Sequence, residues 1–245
     1  MSALPTTMIE SVRKREAEIG GAFAASLHAY VALVAELVDV AGDALGAIDE
    51  GRPSARHAIA LIAARVATEA LTATHLVTTG YPVQAFTIVG TMLELMHTAS
   101  YIGGDEERAQ SYFAHRKRSQ AYPGGVKQTI AAVSREFGLP KEAAAREYDT
   151  FYEQMCMVKH GNPMAMSLGS ASDDDPLFIT IGPVLTQRSA RLASATMQHV
   201  VRYTLLTLLV FSKHHDVKDS ARSLQSRLAA AADRLLALNS EFTLG

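Results

Sequence analysis

Glu94 is the only Asp, Glu, Lys or Arg between Ala70 and Gly104, and Leu93, Leu95 and Met96 flank it. A carboxylate in such surroundings must be paired, hydrogen-bonded or protonated, because an unpaired charge out of water is costly. Carboxylates in that position are candidates for ligand capture or proton transfer. On a helical wheel over 82–102, Glu94 is the middle of a narrow stripe of Thr87, Gly90, Thr91, Glu94, His97, Thr98 and Tyr101, with apolar residues on both sides. Two readings follow. In one, Arg65, which has Glu69 four residues on, pairs with Glu94 and sets the register of two helices. In the other, Glu94, His97 and Tyr101 face Tyr152 and His160 of a later helix across a polar pocket that takes a small ligand.

Metal chemistry has little support. Glu94-Leu-Met-His97 has the spacing that di-iron bundles use, but those need two such motifs and two further carboxylates. His214-His215-Asp216 lies at a junction between helices, where neighbouring histidines more often cap carbonyls, and no cysteine pair suggests zinc. No phosphate-cradling glycine loop or nucleophile elbow is present, so neither metal nor cofactor is expected. Cys156, the one cysteine, lies between Met155 and Met157 and reads as inert core. Alone, it forms no intrachain disulfide.

Nucleic-acid chemistry needs closer weighing. An Arg followed by a His after a few residues is the spacing of the helical HEPN ribonucleases, where both act on the RNA backbone. Arg52 with His57 and Arg108 with His115 match it, which with nine histidines is no more than chance supplies. Pro53 also interrupts the first pair. The basic runs at 13–15 and 115–118 sit beside acidic residues, and the net charge is −2, so no broad positive field recruits nucleic acid or an anionic membrane. A HEPN-like ribonuclease or nucleic-acid-processing protein of bacterial defence type, using His160 or His115 with a nearby Arg, is therefore the alternative and not the first reading.

These residues must be positioned by helices. The chain has 245 residues, 48% of them hydrophobic and 7% aromatic, with no Trp. A core of Ala, Leu, Val and Met suits closely packed helices, and the length allows one sizeable domain. Ile9, Val12, Ile19, Phe23, Tyr30, Val34, Leu37 and Ala41 mark one face of a long first helix, about 8–41. Core helices follow over about 54–213. Ser54 is a suitable N-cap, Pro82 suits a first turn after Gly80, and Asp105 caps a helix running from DEER to HRKR. The sixth helix ends at KHGNP, 159–163. Residues 164–185 break the pattern and predict an irregular insertion with a small hairpin at the β-prone FITI. In the last helix, about 217–241, Leu224, Leu228, Ala231 and Leu235 belong to a coiled-coil-like seam, which packs on the body or on a second subunit.

The run GYPVQAFTIVGTMLELMHTASYI, then Tyr152 and KHG, then IGP at 181–183, resembles a family of all-helical bacterial proteins of unknown function. Their pattern is an embedded Glu, a later helix with Tyr and His, and a Gly-Pro loop, and it covers roughly 56–212. Many members carry an Arg three residues before the Glu, where this chain has Thr91. The resemblance implies an all-helical fold with Glu94, Tyr152 and His160 near one another, and no established activity.

The expectation is thus a single all-α domain of about eight helices. It is a binding or regulatory module with a polar pocket around Glu94, homodimeric through its apolar seam. No signal peptide is evident, and the most apolar stretch, 200–211, is too short to span a bilayer and contains Arg202. The expected compartment is the cytoplasm, with no membrane contact.

Overall fold

The recurrence of apolar side chains at three and four residues becomes helix throughout the computed structural model, which describes residues 6–46, 54–116, 122, 125–159, 168, 170, 172–174, 182–214 and 221–242. Among them are eight helices and no strand: α1 (Thr6–Gly46), α2 (Ala55–Thr78), α3 (Pro82–Ile102), α4 (Glu106–Ala114), α5 (Val126–Phe137), α6 (Lys141–Lys159), α7 (Gln187–His214) and α8 (Ala221–Phe242). The fold is all-α, as the periodicity requires. The hairpin expected at FITI and the end of KHGNP, including His160, lie outside the described residues.

Several boundaries differ from the sequence reading. Gly42 does not end α1, which runs to Gly46. Its buried face is Ile19, Phe23, Leu27, Tyr30, Val34, Leu37 and Ala41, whereas Ile9 is exposed. The first turns of α1 therefore run beyond the core. α4 stops at Ala114, so its basic end is not the HRKR run; His115 already has extended backbone. The caps agree better. The Ser54 hydroxyl accepts from His57 N, and the Asp105 carboxylate accepts from Arg108 N at 3.0 Å.

α3 is central, packed mainly against α2 and α7, with α5 and α6 on its remaining side. Met92, Leu93 and Met96 are completely enclosed; burying each such side chain contributes roughly 1.5–3 kcal/mol. The α2–α3 turn is held by a contact that the sequence did not announce. Gly80 has φ +93°, and a Cβ there would lie 2.6 Å from Pro183 Cβ. Val184 N donates to the Gly80 carbonyl at 3.1 Å. The Gly-Pro loop before α7 thus docks on the tightest turn of the molecule.

The seam of α8 packs within the chain. Leu224, Leu228, Ala231 and Leu235 are buried against α1 and α7, and Arg227–Asp43 and Arg234–Glu36 ion pairs flank them. A surface for self-association would have to lie elsewhere. The stretch 200–211 belongs to the interior of α7, as expected for a core helix. Longer windows in α1 (Thr7–Gly46) and in α2 are sufficiently long and apolar to cross a membrane by length and composition. Both helices also contribute core faces to this fold.

Candidate functional site

Glu94 is exposed. This overturns the premise of a carboxylate trapped in the core. Thr91 and Glu94 lie on a sector of α3 that no other helix covers, and the polar stripe is there simply the wet side of the helix. Arg65 is not its partner. The Arg65 guanidinium pairs with Glu69 on its own helix, with its side chain 62% exposed and that of Glu69 11% exposed.

Farther along the stripe the surroundings change. His97 is 4% exposed and Thr98 8%. The His97 ring meets Tyr148 of α6 edge-on at 5.0 Å, and Tyr148 stacks on Tyr152 at 5.0 Å and 14°. Tyr152 in turn lies beside Glu94 and Cys156. Burial raises the Tyr152 hydroxyl above its ordinary range, and the neighbouring thiol and carboxylate add to this. Glu94, His97 and Tyr152 are therefore joined through Tyr148, which the sequence reading had placed only on the core face of its helix. Tyr101 belongs to a different cluster. The Arg108 guanidinium lies 4.6 Å over its ring and donates to its carbonyl at 2.7 Å, and Tyr122 packs beside it.

The inner side of His97 borders a cavity of about 190 Å³. α3 supplies Met96 and His97, α5 supplies Val133 and Phe137, α6 supplies Ala144 and Glu147, and α7 supplies Arg202 and Leu206, with Leu139 from the α5–α6 turn. The wall is mostly apolar, with three polar groups set into it. Arg202 donates to Glu147 Oε2 at 2.9 Å. The other carboxylate oxygen, Glu147 Oε1, is buried and has no hydrogen-bond partner, and the same is true of His97 Nδ1.

Beneath the cavity, His199 Nδ1 and Tyr203 Oη are likewise buried and unpartnered. His199 stacks on Tyr203 and meets Phe151 at 4.2 Å. Burial alone pulls the His97 pKa down to about 4. His199 falls to about 4 through burial and, secondarily, the Arg202 charge. Both imidazoles are neutral near pH 7. Burial, with Glu147 nearby, raises Tyr203 above its ordinary range and keeps its hydroxyl protonated.

Such a set is unusual for a core, where buried polar atoms are nearly always satisfied. The hydroxyls on the same helices show the contrast: Thr204 donates to the Val200 carbonyl and Thr207 to the Tyr203 carbonyl, at 2.7 and 2.8 Å. Sequence reasoning missed Glu147, His199, Arg202 and Tyr203. A signal did exist on α7, since His199, Arg202 and Tyr203 are spaced to share a face beside the apolar run that follows. Glu147 gave none, lying one residue from Arg146 and two from Asp149.

A second cavity of about 470 Å³ lies at the start of α7, bordered by Arg188 and Arg191. Its backbone donors are already used, because Asp173 accepts from Gln187 N and Arg188 N at 2.9 and 3.1 Å. Those two bonds hold the Asp173 carboxyl below its usual range. Among the described residues no group of His, Cys, Asp and Glu is arranged to hold a metal ion.

No family model matches this chain, and neither the curated proteins nor the solved structures contain a match.

Proposed function

We propose that the chain is a binding module for a small, mainly apolar ligand, held in the cavity beside His97. The single observation that carries this reading is an apolar cavity into which a paired Glu147–Arg202 and a neutral His97 are set, with acceptor capacity left unused. Ligand sites combine apolar walls with a few placed polar groups in this way. The pocket is displaced from the one expected around Glu94: it lies on the buried side of the same stripe, and only His97 is common to both. An apolar cavity of about 150 Å³ is enough to admit benzene, so a volume of about 190 Å³ suits a compact molecule of similar size. Toluene is a suitable first probe. Methyl NMR shifts at Met96, Val133, Leu139 and Leu206 are expected on titration, and Val133→Phe, which fills the space, should abolish them. Shifts that are absent, or that survive Val133→Phe, overturn the reading.

A ribonuclease reading keeps one favourable observation. The His115 ring lies 5.5 Å from Tyr122, whose hydroxyl donates to the Arg108 carbonyl at 2.6 Å, so the Arg108/His115 pair shares one aromatic platform. RNA cleavage by the purified chain that is lost in His115→Ala would favour it; no cleavage, or cleavage unchanged by that substitution, removes it.

A further inference from the structure

We propose that the cavity selects uncharged ligands bearing one hydroxyl on an apolar body, a small phenol being the best fit, and that Glu147 Oε1 is the acceptor that reads the hydroxyl. The proposal rests on the binding reading above and adds the ligand class. Glu147 Oε2 is engaged by Arg202 at 2.9 Å, which leaves Oε1 as a buried acceptor without a donor. Leaving such an atom unsatisfied is costly, and a ligand that supplies the donor recovers the difference. Tyr203 Oη does not serve as that donor, since it too makes no hydrogen bond.

Charge narrows the class. A cation would be drawn to Glu147 but would meet Arg202, and an anion would meet the reverse, so the paired site favours neither sign. His97 is neutral and can donate or accept according to its tautomer, which allows it to complement the hydroxyl oxygen. The rest of the wall (Met96, Val133, Phe137 and Leu206 among it) offers only apolar contact. Taking the benzene-sized cavity as a guide, the ligand has roughly seven to ten non-hydrogen atoms.

The test compares p-cresol with toluene, which differ by the hydroxyl alone, and with 4-methylbenzoate and 4-methylbenzylamine, using calorimetry or methyl NMR on the whole chain. p-Cresol is expected to bind about tenfold or more tightly than toluene, the ordinary advantage of a hydrogen bond to a charged acceptor, and the two charged probes to bind more weakly than p-cresol. Glu147→Met combined with Arg202→Met removes the ion pair without stranding either charge, and should abolish the p-cresol advantage while toluene still binds. Equal binding of p-cresol and toluene by the unaltered chain overturns the hydroxyl proposal and leaves the cavity reading standing. Tighter binding of either charged probe likewise overturns the ligand class alone. Binding of none of the four overturns the cavity reading, and this proposal with it.

Discussion

Acidification should weaken this protein well before its carboxylates titrate. His97 and His199 are 4% and 6% exposed, and in the folded chain each has a pKa of about 4 against an ordinary 6.5. An unfolded chain protonates both near the ordinary value. Protons thus bind the unfolded state first, and stability falls as pH drops from about 6.5 towards about 4. Above the ordinary value the full contribution is present. A difference of that size corresponds to about 3 kcal/mol for each imidazole once the full window is crossed. Between pH 7.5 and 5.5, before carboxylate protonation matters, the two together should remove about 3 kcal/mol of unfolding free energy. Urea denaturation at those two pH values measures the loss directly. His199→Phe keeps the ring contact with Phe151 and removes one titrating group, so it should roughly halve the pH dependence. The two imidazole resonances, assigned with His199→Phe and His97→Gln, should not titrate above pH 5 while the chain is folded. Stability that is the same at both pH values, or imidazoles that titrate near pH 6.5 in the folded chain, would refute the reasoning.

Other substitutions test the remaining structural claims. Glu94→Gln should change the unfolding free energy by no more than about 0.5 kcal/mol in chemical denaturation, as at an ordinary surface position, and leave toluene binding unaltered. Gly80→Ala places a Cβ 2.6 Å from Pro183 Cβ at φ +93°; a loss of about 2 kcal/mol or more is expected, readable as a drop of several degrees in Tm. Leu228→Ala empties a fully buried position under α8 and should cost about 2–5 kcal/mol. Because the seam is covered by α1 and α7 of the same chain, that loss should be independent of protein concentration.

Much of the architecture was legible from local chemistry. Three- and four-residue recurrence marked every helix. Ser54 and Asp105 marked two starts, and Gly80 with Pro82 marked the tight turn between α2 and α3, because capping, left-handed backbone and the missing proline N–H act within a few residues of chain. The site was legible only in part. His97 and Tyr152 were identified correctly as neighbours of the α3 stripe, and Tyr152 does reach Glu94. Arg65 and Tyr101 were assigned to the wrong surroundings, since Arg65 satisfies Glu69 on its own helix and Tyr101 faces Arg108 and Tyr122. Periodicity gives the angle of each side chain around a helix axis. It does not say which angles a neighbouring helix will cover, and on α3 that covering separates Glu94 in water from His97 in the core, three residues apart. Glu147 and Arg202 are brought together from helices 55 positions apart. Their pairing, the unused carboxylate oxygen and the cavity beside it exist only because α3, α5, α6 and α7 pack around one point, and no local pattern in the chain encodes the space left between packed helices.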